Sequence, residues 1–420
     1  MFSHCIAKRN ACALAIWLVS GAALAQELTL AEAQRLAESG QPQIAARRSA
    51  SLSALESAVA ARELPDPKLR FGVINVPADG PDALSPGADF MTMTMVGVMQ
   101  EFPRRAKRDL RGEMLNLTGE RSLQETAVLK LQFRRDAALA WFDAWAAARA
   151  IELAQAQQRE QQVEIDALVI ALRNNRAAAA ELSEARVALE LLADRERLLV
   201  GDQRIARAAL ARWIGERAQD PLPQTLPELP RLPGSEALAR KVETHPYLAT
   251  IDTQVRIADA DAALANLSTR PDWSMELSYG RRGSAYSNMV SLQFQVDLPI
   301  LQHKRQDRSI AAKFADVQQA REMREDAHRE LRADALQLHA RSETEDARAQ
   351  AFSERVLPEA RKRLDAATAS YRSGKGKLSD VLAARRALLD LELETLLRQV
   401  EAAKARIALD YFARANGEAQ

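Results

Sequence analysis

From Pro103 to Pro221 the chain holds no intervening proline, and that gap dictates most of what the sequence can become. The stretch is rich in Ala, Leu, Glu, Gln and Arg, the strong helix formers. Its interior break signals are a few isolated glycines and a polar, alanine-rich patch at residues 173–180. It therefore reads as two long helices joined by a tight turn near Asn174-Asn175. The first arm, from about residue 104 to residue 172, would be roughly 100 Å long at about 1.5 Å per residue. Such a helix is several times the ordinary globular length. One core cannot cover it, so it needs a coiled-coil-like assembly.

The first 25 residues read as an export signal that is removed. Lys8 and Arg9 supply positive charge, residues 11–19 form a short apolar run, and Ala23-Leu24-Ala25 is a small-x-small cleavage site. The run is too short to span a bilayer comfortably, and no other stretch is apolar enough to do so as a helix. Cys5 and Cys12, the two cysteines, both lie here. The exported chain is thus expected to hold no disulfide, thiolate nucleophile or cysteine metal site. Arg9-Asn10-Ala11 ahead of Cys12 is a poor lipoprotein context. The 58 Lys and Arg, two of them in this leader, face 57 Asp and Glu. That balance offers no footprint for nucleic acid.

The remainder reads as one unit used twice, at a spacing of about 200 residues. Gln41-Pro42-Gln43-Ile44 opens a helix that runs to Leu64-Pro65-Asp66-Pro67. His245-Pro246-Tyr247-Leu248 opens one that runs to Arg270-Pro271-Asp272-Trp273. After each come two β-patterned segments, a basic junction (Lys107-Arg108 or Lys304-Arg305), a long helix, a turn and a second helix. Gly215 and Gly417 stand near the two ends. Between the halves, Pro221, Pro223, Pro227, Pro230 and Pro233 mark an extended linker. The expected layout is a signal at 1–25, a first repeat at 26–220, the linker at 221–233 and a second repeat at 234–420.

The β-patterned segments alternate with period two. Trp273, Met275, Leu277 and Tyr279 interleave with polar residues, as do Val290, Leu292, Phe294, Val296 and Leu298. The first-half pair, residues 68–76 with Leu69, Phe71 and Val73 on one face, and residues 91–102, is less tidy. Such alternation over about ten residues suits a membrane-barrel strand, with lipid on one face and water on the other. A sheet packed on helices in a soluble domain would show it too. Four strands cannot close a barrel wide enough for a channel, so the membrane reading demands an oligomer. The helices after the turns carry heptads: Leu182, Ala185, Leu189, Leu192, Glu196, Leu199, Gln203, Ala206, Leu210 and Trp213, then Leu378, Leu382, Leu389, Leu393, Leu396, Val400 and Ile407.

Together these features resemble the TolC-like outer-membrane efflux factor family, over essentially the whole exported chain. The most specific piece is Tyr371-Arg372-Ser373-Gly374-Lys375, followed by Leu378-Ser379-Asp380-Val381-Leu382 and Ala384-Arg385-Arg386. It looks like the family's turn between its last two long helices. Phe102-Pro103, Leu298-Pro299 and the Lys-Arg junctions are also family-like. The stretch from Val96 through Pro103 into Lys107-Arg108-Asp109 looks closest to the heavy-metal branch, of cobalt–zinc–cadmium or copper/silver type.

The resemblance implies a mainly α fold with a small β part. Three chains would form a homotrimer, with a trimeric α-helical barrel continuous with a twelve-stranded outer-membrane β-barrel, four strands per chain. The implied setting is the outer membrane of a Gram-negative bacterium, in contact with its lipid and reaching into the periplasm. There the tip would dock on a periplasmic adaptor and an inner-membrane pump of the resistance-nodulation-division type. The duct would be passive. Its cargo would be heavy-metal cations, with organic drug efflux or protein secretion as the alternative cargo. A soluble periplasmic coiled-coil scaffold is the alternative outside this fold.

No catalytic constellation is recognisable and there is no Gly-rich phosphate loop, so neither an enzyme nor a cofactor is expected. His328 and His339 are eleven apart, wider than a usual zinc pair, and read as solvated. Met91, Met93 and Met95, with Met99 beyond, could offer thioethers to Cu(I). A lipid-facing or packed apolar row is the preferred reading, and no metal site is assigned. Glu181 and Asp380 are equivalent in the two repeats, each just past a turn, where a carboxylate also favours the helix dipole. The family's acids at the matching second tip line the periplasmic aperture, and three copies would form a cation-favouring ring. Where the family has a second acid this chain has Ala383, for which Glu184 could substitute. Arg173, Arg176, Arg372, Gly374 and Lys375 at the tips suit adaptor docking, or a plain solvated loop.

Overall fold

The computed structural model describes residues 27–81, 83–85, 89–229 and 233–414. The export signal at 1–25 with its two cysteines, Pro230 of the linker and Gly417 lie outside the described residues.

The chain opens with α1 (Leu30–Glu38) and α2 (Pro42–Arg62). Thr29 caps α1 by accepting the Glu32 N–H at 3.2 Å, and Pro42 starts α2 where a missing N–H costs nothing. Strands β1 (Lys68–Ile74) and β2 (Met93–Phe102) follow, then α3 (Arg105–Arg173) and α4 (Ala179–Ile214). The order then recurs: α5 (Ser235–Val242), α6 (Pro246–Asn266), β3 (Trp273–Arg282), β4 (Met289–Val296), α7 (Gln306–Ala351), α8 (Leu357–Arg372) and α9 (Leu378–Ala413). Equivalent helices match closely in length: α2 and α6 have 21 residues each, α4 and α9 have 36 each. The 69 residues of α3 confirm the arm expected from the proline-free stretch.

The second arm departs from that simple picture. Between α7 and α8, residues Phe352–Val356 form a π-helical turn. Pro358 sits in the first turn of α8. Its missing N–H and its ring break the i→i−4 ladder, and the wider turn absorbs the break without stopping the helix.

The heptads describe real packing. Every heptad position of α4 named above is buried or half-buried, and every one of α9 is buried. The largest core joins α1, α3, α4 and α9 around Trp141 and Phe142, whose rings meet edge to face at 5.2 Å. Two indoles of α3, one helical turn apart, tie down both flanking segments. Trp141 Nε1–H donates to the Leu28 carbonyl at 2.9 Å, and Trp145 Nε1–H to the Pro223 carbonyl at 2.8 Å. The Leu28 N–H in turn donates to the Pro221 carbonyl at 2.8 Å. A second core joins α5, α6, α7 and α9.

The four strands form one antiparallel sheet in the order β1-β2-β3-β4. Register decides the faces. Leu69 and Phe71 pair with Val98 and Val96, those with Leu277 and Tyr279, and those with Leu292 and Val290. All eight side chains are exposed and share one continuous apolar face. On the other face of β3, Glu276, Ser278 and Gly280 are buried although, among the described residues, no helix packs on the sheet. Neighbouring side chains on that face shelter them: Arg70 pairs with Glu276, and Met93 lies over Gly280.

Candidate functional site

Both turns lie at one end of the bundle, drawn together by a third core in which Ile165, Leu168, Ala185, Leu378 and Leu382 pack with Leu182 and Tyr371. Each turn closes with a residue in the left-handed region, Asn175 at φ 56° and Gly374 at φ 73°. Glycine tolerates that conformation freely and asparagine better than most residues do. Beyond each turn the acid identified from the sequence takes the third position of the new helix. The Ala178 N–H donates to Glu181 Oε2 at 3.3 Å and the Lys377 N–H to Asp380 Oδ2 at 3.4 Å. The helix-cap role is therefore made in both repeats.

Asp380 and Glu184 are exposed, Glu181 half-buried. Among the described residues none of these three, nor Arg173, Arg176, Arg372 or Lys375, forms an ion pair within the chain. Gly374 is exposed with them. Tyr371 sits beside the acids: burial, then the charges of Glu181 and Glu164, hold its phenol above the usual range.

The ion pair that does bridge the helices near the tip involves other residues. Arg385 of α9 reaches Glu164 of α3 at 2.5 Å, with both side chains 16% exposed, and Gln161 Oε1 at 3.3 Å. Gln161, almost fully buried, donates to the Ala185 carbonyl of α4 at 3.2 Å. One polar relay thus links three helices of both repeats. From the sequence, Arg385 stood out only as part of the Ala384-Arg385-Arg386 stretch after the second turn. The signal available was a charged residue next to buried heptad positions on α9.

At the other end, Met93, Met95 and Met99 occupy the face of β2 opposite Val96 and Val98, paired with Arg282, Gly280 and Glu276, while Met91 precedes the strand. The row is half-buried and shares its face with the ion pairs Arg70–Glu276 and Lys68–Glu101. Both basic junctions lie just beneath the sheet. Lys107 is 7% exposed and donates to the Arg270 carbonyl at 2.9 Å and to Asp272 Oδ2 at 2.8 Å. The Arg104 N–H donates to Asp272 Oδ1 at 2.9 Å. Burial raises the Asp272 carboxyl, but Lys107 and the Arg104 amide outweigh it and hold it below the usual carboxylate range.

The fold matches known proteins. Residues 237–412 match the family model described as outer membrane efflux protein. A relative, the cobalt-zinc-cadmium resistance protein CzcC of Cupriavidus metallidurans, is 27% identical over 174 residues, 41% of this chain and 40% of the relative's length. Crystal structures of CusC superpose with a TM-score of 0.76 over 93% of both chains, at 16% identity. A membrane protein from Pseudomonas aeruginosa gives 0.77 over 92% of each at 14% identity. The open state of the MtrE outer membrane channel of Neisseria gonorrhoeae gives 0.73 over 91% of this chain and 88% of that one, at 18%. Along essentially its whole described length the chain takes the fold of these structures, and residues 237–412 match the outer membrane efflux protein model.

Proposed function

We propose that three copies of this chain form the passive exit duct of a tripartite efflux system in a Gram-negative outer membrane. The carrying observation is the sheet. It has a largely apolar exposed face, a more polar opposite face, two open edges at β1 and β4 and, among the described residues, no helix packed behind it. Ten residues of β3, at about 3.3 Å each and tilted by about 40°, rise roughly 25 Å, the height of an outer-membrane apolar band. Aromatic pairs mark its two ends, Phe102 stacked on Trp273 at 4.2 Å and Phe90 tilted against Tyr286 at 6.4 Å. Three copies supply twelve strands and close the barrel around the polar face.

The helices support the same assembly. Val187, Leu191, Leu198 and Ile205 form a second apolar stripe on α4 that the chain itself leaves exposed. A neighbouring copy covers it. The two repeats, 26–220 and 234–420, joined by the linker at 221–233, each supply two strands and one hairpin to this wall. The periplasmic end meets an adaptor through Arg173, Arg176, Arg372, Gly374 and Lys375, and an inner-membrane pump of the resistance-nodulation-division type drives transport. The likeness to a protein named for cobalt, zinc and cadmium resistance favours heavy-metal cations as cargo.

Glu181 and Asp380, with Glu184 nearby, form the aperture ring, three copies of each favouring cations at a narrow mouth. Single-channel conductance in a planar bilayer tests this, wild type beside Glu181→Ala/Asp380→Ala. The expected result is a small cation-selective conductance that rises or loses selectivity in the variant. An unchanged pore would leave these acids as helix caps alone. A protein that forms no pore and stays soluble without detergent would overturn the duct.

A further inference from the structure

The first basic junction is built across the two repeats. Lys107 follows β2 and holds Asp272, which precedes β3, and β2 and β3 are neighbours in the sheet. The junction is well ordered around this contact: α3 begins at Arg105, and the Arg104 side chain also donates to the Pro271 carbonyl at 3.0 Å.

The repeat maps this arrangement onto a second one. Lys304 stands where Lys107 stands, after β4, and Asp66 stands where Asp272 stands, before β1. Leu64-Pro65-Asp66 corresponds to Arg270-Pro271-Asp272. Within one chain the second contact is not made: among the described residues neither Lys304 nor Asp66 has an ion pair. Residues 301–305 form turns where the first junction is already helical. Leu298, Ile300 and Leu301 are exposed, Ile300 at 82%. Topology explains the difference. β4 and β1 lie on opposite edges of the sheet, so the strand beside β4 that is preceded by an Asp66 belongs to another copy.

We propose that Lys304 clamps onto the partner's Asp66, closing the ring of strands with the same lysine-to-aspartate contact that Lys107 makes inside the chain. The occupant of this surface is a second copy of the chain, a choice that rests on the trimeric duct proposed above. Charge complementarity, the vacant lysine and aspartate, the open strand edges and the uncovered leucine and isoleucine side chains all sit at the same level of the molecule. Three such contacts ring the base of the barrel. Each fixes the register of β4 against the incoming β1, because a slip of one residue would swap the faces of the strand.

The test is a charge swap in outer-membrane preparations of the full chain, read as the rate at which trimers dissociate in detergent at fixed temperature. Asp66→Lys and Lys304→Asp are each expected to speed dissociation about tenfold or more per junction, as losing a charge-assisted contact implies. The double variant Asp66→Lys/Lys304→Asp should return to within about threefold of wild type, the signature of a direct pair. Neutral single variants, or a double variant as fast as the two effects combined, would overturn the clamp. A wild-type protein that is monomeric would instead overturn the trimer. Should the single variants fail to reach the membrane, Asp66→Cys/Lys304→Cys treated with a short bis-maleimide gives the answer. Covalent dimers and trimers support the clamp, and monomers alone refute it.

Discussion

Trp141→Phe isolates what the indole ties contribute. The substitution keeps an aromatic ring in the core but removes the N–H that satisfies the Leu28 carbonyl at 2.9 Å. Both Leu28 and Trp141 are fully buried, so the carbonyl loses its partner away from water, at about 1–3 kcal/mol. The smaller ring leaves roughly 40 Å³ unfilled, adding about 1 kcal/mol at ~24 cal/mol per Å³. The sum, about 2–4 kcal/mol, corresponds to roughly 30- to 1000-fold faster local opening. Hydrogen exchange read peptide by peptide measures it without requiring reversible unfolding. Residues 28–38 should exchange faster by that factor. Residues 218–226 should follow, because the Leu28 N–H holds the Pro221 carbonyl. The peptide covering α6 should not change. Unchanged rates at 28–38, or an equal acceleration along the whole chain, would refute the idea that one indole pins this collar locally.

His245 makes the stability of α6 depend on pH. Its Nδ1 accepts the Tyr247 N–H at 3.2 Å while Nε2 faces the Tyr411 carbonyl at 3.3 Å, and burial holds its pKa below the usual histidine value. The unfolded state binds the proton first, so the contribution is complete above about pH 6.5 and is lost as pH falls toward the folded value. Exchange protection of α6 should therefore weaken from pH 8 to pH 5, and His245→Asn, a cap that does not titrate, should flatten the profile. Gly97→Val should cost about 1–3 kcal/mol of sheet stability, since a Cβ there would lie 2.7 Å from Ser278 Cβ. Gly72→Val, where nothing lies within 4 Å of such an atom, is the matched control. The yield of detergent-resistant trimer separates the two, and equal yields would count against the close approach of β2 and β3.

Elements whose cause is local were legible in the sequence. The 69-residue α3 follows from an absence of prolines, and both tips follow from turn residues. What stayed hidden depends on register or on distant pairing. In β2, Val96 and Val98 alternate with Met95, Gly97 and Met99, so both faces look apolar and periodicity alone names no inside. Only the pairing of Val96 with Phe71 and Tyr279 assigns the methionines to the opposite, half-buried face. Arg385 and Glu164 are 221 residues apart and meet because the two hairpins share one core. The π-helical turn is a different kind of miss. Pro358 was visible, and a proline in a helical pattern requires either an end or a distortion.

The unsupported sheet also constrains how the duct can be made. Three or more strands need an apolar face to be covered before they are stable, and in a single chain that face and both strand edges are bare. A newly exported chain can complete its helical cores first, because α1, α3, α4 and α9 bury their side chains without help. Its strands meanwhile are a sticky, unpaired ribbon of the sort that aggregates. If three chains close the barrel as proposed, membrane insertion is coupled to their meeting. A mutation that slows that meeting would deplete the duct from the cell while leaving every helix of the monomer intact.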